Sequence, residues 1–184
     1  MYSKAEVERS VLTFRVAAAE AERIEGAVLP LDLASHSRGR MGLVRRFPIG
    51  PVGAITPFNF PLNLVAHKIA PAIACGNPVV LKPASSGVLT ALMLGDIIDK
   101  TLLPKGGFSI VPCSGGEADQ LVIDSRIKLL SFTGSAEVGW DMKSRAGKKK
   151  VTLELGGNAA VIVDRDSSIT ETAHRIALGS FGNA

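Results

Sequence analysis

The chain has 184 residues, 46% hydrophobic and 21% charged, with 21 Lys and Arg against 17 Asp and Glu for a formal charge of +4. That composition supports a packed core rather than a disordered chain, and two cysteines are too few for a disulfide framework. The apolar stretches are broken by charge or proline well short of the ~18 residues that a membrane span needs. The opening MYSKAEVERS has no apolar h-region, so a cytoplasmic protein with no membrane in its function is expected. Nucleic acid is not expected either. Aromatics are only 5%, and the basic groups Arg38, Arg40, Arg45, Arg46 and Lys148 to Lys150 read as solvated faces.

In chain order, Ser3 and Glu6 have capping-box spacing, and Val7, Val11, Phe14, Ala18 and Ala21 recur every three or four residues up to Gly26. This predicts an amphipathic helix. Residues 36–50 are basic and punctuated by glycine, with Met41, Leu43, Phe47 and Ile49 alternating as in an edge strand or hairpin. From Pro51 on, strand patterns are Val52–Thr56, Pro78–Leu81, Phe108–Val111, Ile127–Phe132, Val151–Leu153 and Ala159–Val163. Helix patterns are Leu62–Cys75, Val88–Leu102, Glu117–Ile123, Ala136–Ala146 and Ile169–Phe181. The alternation of strand and helix, with apolar strands that do not alternate in polarity, predicts a doubly wound, mostly parallel Rossmann-like α/β sheet with helices on both faces, plus an edge hairpin. Gly156-Gly157 reads as a tight turn or a domain junction.

Ligands of an open parallel sheet bind outside the carboxyl ends of its strands. Asn59, Lys82, Thr133-Gly134-Ser135 and Glu154 each follow or end a different strand pattern, which puts four polar groups on one rim. Asn59 is boxed by Pro57, Phe58, Phe60 and Pro61, as a stiffly held oxyanion donor would be, although Asn is also an ordinary turn residue. Lys82 leaves a buried strand before Pro83; it suits ribose or phosphate, or simply snorkels to solvent. Gly134 to Gly139 opens a helix directly after a strand, where free amides favour an anion, but Ser135 as a plain N-cap explains it equally. Trp140 and Asp141 stand where a P-loop has Lys and Ser or Thr, so an NTPase is not expected. Glu154, among apolar neighbours, is expected to be desolvated and thereby suited to a general base, or else to be ion-paired.

The segments Pro57-Phe58-Asn59-Phe60-Pro61, Gly76 to Pro83, Phe132-Thr133-Gly134-Ser135 with Gly139, and Leu153-Glu154-Leu155-Gly156-Gly157 stand in an order and spacing that resemble the NAD(P)-dependent aldehyde dehydrogenase superfamily. The resemblance covers essentially the whole chain. It implies oxidation of a small aldehyde to a carboxylic acid, with NAD or NADP as cofactor, through a cysteine thiohemiacetal and thioester. It implies that Asn59 stabilises the oxyanion and that Glu154 activates the hydrolytic water. Cofactor contacts are implied for Thr56, Pro57, Phe58, Lys82, Ser85, Gly115, Phe132, Thr133, Gly134, Ser135, Gly139, Leu155 and Gly156, with no metal. Ser85 stands where many NAD-preferring relatives carry a glutamate, and a neutral hydroxyl removes the repulsion of a 2′-phosphate, so tolerance of NADP is expected.

The resemblance further implies that residues 1–29 and 50–156 form the cofactor domain, 30–49 an oligomerisation hairpin, and 157–184 the start of a catalytic domain, in a homodimer or tetramer. The family's nucleophilic cysteine follows the glutamate by thirty-odd residues, and the chain ends at Ala184 on the approach to it. Cys75 and Cys113 do not match its place and read as structural thiols. The expectation is therefore a fragment that is inactive alone. Alternatives are a non-catalytic NAD(P)-binding module, a relative that passes the acyl group to coenzyme A, and an interaction fragment that associates through its basic edge at 38–46.

Overall fold

The protein is described by a computed structural model covering residues 2–181. Residues 182–184, expected on the approach to a cysteine, lie outside the described residues. Helix α1 (Tyr2–Ala21) forms where the periodicity places it, and its Phe14 packs into the core. The capping box does not form. Ser3 is already helical, and Glu6 Oε1 instead accepts the amides of Leu62 and Asn63, at 2.8 and 3.0 Å. Those amides open another helix and have no intrahelical acceptor, so they compete successfully for the carboxylate.

Strands β1 (Ala27–Pro30) and β2 (Met41–Val44) pair antiparallel, with Ala27 opposite Val44 and Pro30 opposite Met41. They form a separate two-stranded sheet rather than an edge of the main one. The alternation expected to run on to Ile49 stops at Val44, and Pro48, which has no N–H to give a ladder, lies in the unpaired stretch that follows.

The main sheet contains β3 (Val52–Ile55), β4 (Val79–Lys82), β5 (Phe108–Ile110), β6 (Leu129–Gly134) and β7 (Lys150–Leu155), all parallel, in the order β5-β4-β3-β6-β7. The crossovers are α2 (Asn63–Ala74), α3 (Val88–Asp99), α4 (Asp119–Ile123) and α5 (Ala136–Arg145), and α6 (Ile169–Phe181) follows the sheet. Helix α2 runs through Pro71 and stops at Gly76, whose φ of +74° is a conformation that residues with a Cβ rarely adopt.

All four residues of β3 are buried, as a central strand requires. Val52 and Ala54 join Val79, Leu81, Val65, Ile69, Ala91 and Leu94 in a core under α2 and α3. Ile55 faces the other way, with Leu130, Phe132, Val122, Met142 and Ala146 under α4 and α5. Arg145 ties those two helices by pairing with both Asp119 and Asp141.

Two further sequence expectations differ from the structure. Coverage on both faces holds at the centre, but at the edge Thr152 and Glu154 of β7 are exposed while Val151, Leu153 and Leu155 pack inward. Residues 159–163 form no strand. They pair with no described neighbour, and Ile162 is 96% exposed, so the apolar run has no ladder to join.

Candidate functional site

From β3 the chain crosses to β4 and β5 on one side, then returns to β6 and β7 on the other. Connections leaving β3 and β6 therefore diverge to opposite faces and leave a crevice between their carboxyl ends. That switch point is where open α/β sheets bind ligands. Ile55 is level with Lys82 on one side and Phe132 on the other, Thr133 with Glu154, and Gly134 with Leu155. The four strands carrying the expected groups are thus adjacent, and at ~4.8 Å per strand the rim from β4 to β7 spans about 14 Å.

Thr56 leaves β3 with its amide donating to Lys82 O at 3.2 Å and its hydroxyl buried without a hydrogen-bond partner among the described residues. Pro57 leads into a bend in which Phe58 and Asn59 are exposed at the rim. Lys82 ends β4 half-buried, and Ser85 is exposed in a 3-10 turn, Ser85–Gly87. Gly115 follows β5, two strands out from β3, and an added Cβ would meet nothing within 4 Å.

Ser135 occupies the N-cap position of α5 yet makes no side-chain cap bond, so the helix start is not closed in the way an ordinary N-cap would close it. The first turn's amides stay available until Gly139 N reaches Ser135 O at 3.0 Å. The glycines here have a packing explanation that sequence reasoning did not supply. A Cβ on Gly134 would stand 2.5 Å from Phe132 Cζ, and one on Gly139 would collide with Leu155 Cδ2. Phe132 and Leu155 thus act here through packing, whereas Gly156 stands in open space.

Register also assigns faces. Lys82 is level with Ile55 and shares its face, that of α4 and α5, whereas Glu154 and Thr152 lie on the α2 face. Asn59 sits in the loop that becomes α2. The strand groups therefore divide, with Lys82 on the α4 and α5 face and Glu154 on the α2 face, and Asn59 lies in the connection that leads to α2. Glu154 is exposed, not buried among its apolar neighbours, because Leu153 and Leu155 point to the opposite face.

Sequence reasoning missed Lys68. It is 8% exposed on α2, its Nζ donates to Ser131 Oγ at 3.1 Å, and it interacts electrostatically with Glu154. The available signal was a lysine on the apolar face of a helix, a residue type almost never buried without a partner. Burial draws its ammonium down to about 8, against the opposing pull of Glu154.

This has a stability consequence. Below pH 8 the amine is charged in both the folded and the unfolded chain, and its burial costs the fold. Between that value and an unfolded value near 10.5 the folded state releases its proton first, so stability from this group rises with pH. Lys68→Met is expected to stabilise the chain at pH 7 by up to about 3 kcal/mol, with the gain fading as pH approaches 10.5. Urea unfolding across pH 7–10.5 measures it, and a gain that does not change with pH contradicts this account.

Together, the strand order and the crevice define a doubly wound α/β protein of the class that takes nucleotides at its switch point. The model of the aldehyde dehydrogenase family matches residues 2–184. A 3-sulfolactaldehyde dehydrogenase of Priestia aryabhattai is 43% identical over 183 residues, covering 99% of this chain and 38% of that protein. Aldehyde dehydrogenase 21 from Physcomitrella patens, crystallised with the reaction product succinate, superposes with a TM-score of 0.91 at 54% identity. That match covers 97% of this chain and 38% of that protein. An NADP-dependent glyceraldehyde-3-phosphate dehydrogenase from Bacillus halodurans C-125, complexed with NADP, gives 0.91 at 38% identity, covering 96% of this chain and 38% of that one. The chain belongs to the aldehyde dehydrogenase family, and it spans about 38% of the length of these relatives.

Proposed function

We propose that this chain is the cofactor-binding part of an NAD(P)-dependent aldehyde dehydrogenase that converts a short polar aldehyde to the free acid. The observation that carries this reading is the convergence of Asn59, Lys82, the α5 N-terminus and Glu154 on the carboxyl rim at the switch point. The residues present fit a dinucleotide. The buried Thr56 hydroxyl has no hydrogen-bond partner among the described residues, and the uncapped amides of α5 with Lys82 suit an anionic diphosphate and ribose. When bound, the dinucleotide supplies the hydride acceptor.

The chain's own residues do the rest. Lys82, Ser135 and the first amides of α5 would hold the nucleotide on their face of the rim. Asn59 donates a hydrogen bond to the carbonyl oxygen as negative charge develops there. Glu154 takes a proton from the water that releases the acid, which favours hydrolysis over transfer to coenzyme A. Neither cysteine serves as nucleophile. Cys75 follows the carboxyl end of α2 and precedes β4, at the amino ends of the strands, and Cys113 follows β5, four strands from Glu154 or roughly 19 Å.

In this reading residues 1–29 and 50–156 are the cofactor domain, 30–49 with its exposed Met41 and Leu43 an oligomerisation hairpin, and 157–184 the start of a catalytic domain in a homodimer or tetramer. A short polar substrate agrees with the sulfolactaldehyde and succinate that the relatives' names carry.

The test compares this chain with the complete dehydrogenase containing its sequence. This chain is expected to bind NADP in calorimetry and to give no aldehyde-dependent reduction of it; the complete enzyme gives both. Turnover by the isolated chain, or no cofactor binding by either, overturns the proposal. Ser85 places no carboxylate near the ribose, so kcat/KM with NADP is expected within about tenfold of that with NAD. Exclusive use of NAD removes Ser85 from the cofactor site.

A further inference from the structure

The loop from Thr56 to Leu62 carries Asn59 across seven residues with few ties of its own. Its entry is held by Thr56 N on Lys82 O at 3.2 Å and its exit by Leu64 N on Phe60 O at 3.0 Å. Further support comes from outside the sheet, from α1. Glu6 Oε1 accepts the amides of Leu62 and Asn63, and the Arg9 guanidinium stands 5.5 Å over the Phe60 ring.

The double acceptance by Glu6 matters because α2 has no cap within its own sequence. Leu62 stands at the N-cap position with no side-chain bond to give. A carboxylate at that end satisfies amides that otherwise lack an acceptor and complements the positive end of the helix dipole. It pins the chain three residues after Asn59, and Pro61 between them limits how far a displacement can be absorbed.

We propose that Glu6 is a positioning residue for the Asn59 amide, fixing the first turn of α2 so that the donor holds its place at the rim. This rests on the role given to Asn59 above. An oxyanion donor acts through preorganisation, so small displacements that leave the cofactor site intact act on kcat rather than on cofactor binding. Charge at residue 6 is not the requirement; an acceptor oxygen at that reach is.

The experiment uses Glu6→Ala and Glu6→Gln in the complete dehydrogenase, with amide exchange read on this chain. Glu6→Ala is expected to lower kcat about tenfold or more with the KM for NADP changed less than about twofold. Glu6→Gln, which keeps an acceptor oxygen, is expected to return kcat to within about threefold of the wild type. The amides of Leu62 and Asn63 should exchange at least about tenfold faster in Glu6→Ala and near the wild-type rate in Glu6→Gln.

An unchanged kcat, a loss confined to KM, or a loss in Glu6→Gln as large as in Glu6→Ala overturns the proposal. Should Glu6→Ala not fold, Glu6→Asp withdraws the oxygen by one methylene and gives the same comparison. A complete wild-type protein with no aldehyde-dependent turnover overturns the dehydrogenase reading instead, and the exchange rates still decide whether Glu6 holds the loop.

Discussion

Replacing Asn59 by alanine in the complete dehydrogenase lowers kcat by about a hundredfold or more, as removal of an oxyanion donor does elsewhere. The side chain is exposed at the rim and contributes nothing to the two cores, so the loss belongs to the reaction and not to folding. Cofactor affinity should hold, because the proposed cofactor contacts are Lys82, Ser135 and the α5 amides, on other elements than the Asn59 loop. The measurement is kcat and the KM for NADP side by side, with thermal unfolding of the same samples as control. A rate within about threefold of the wild type would take Asn59 out of the site.

Glu154→Gln gives a loss of a different kind. The amide keeps the shape of the carboxylate but accepts no proton, so only the step in which water is activated suffers. Steady-state turnover is expected to fall by about 10²–10⁴-fold, the range typical of a general base. The first turnover should survive. Rapid mixing then shows a burst of reduced cofactor near one equivalent per site, followed by a slow phase that added coenzyme A does not accelerate. Loss of the burst would mean that Glu154 acts earlier than proposed, and an unchanged steady state would remove it as the base. Its exposure gives water direct access, while Lys68 behind it supplies a positive neighbour whose charge diminishes above pH 8.

The two proposed groups differ in what holds them. Glu154 rides on a strand whose position is set by six consecutive register pairs with β6. Asn59 rides on a loop and needs help from outside it, which α1 gives through Glu6 and Arg9. Loops positioned by a rigid scaffold commonly carry function, and here the scaffold includes a helix that precedes the sheet in the chain.

Much of this was legible in the sequence because its physics is local. Short apolar runs alternating with helical periodicity determine a parallel sheet wound on both faces, and the position of Asn59, Lys82, Ser135 and Glu154 at or just beyond the carboxyl ends of their strands determines that they share a rim. The rule that parallel strands all point their carboxyl ends the same way makes that inference independent of coordinates. What the tertiary structure alone decided depends on register and on partners far apart in the chain. Which face each group takes follows from a strand period of two, so a shift of one residue would exchange Glu154 with Leu155. Glu6 left its expected capping box for amides 56 and 57 positions away, and Lys68 found Ser131 63 positions on. The 159–163 run, strand-like by composition, stays unpaired because a strand exists only where a neighbour offers hydrogen bonds, and no spacing within a single segment records that neighbour.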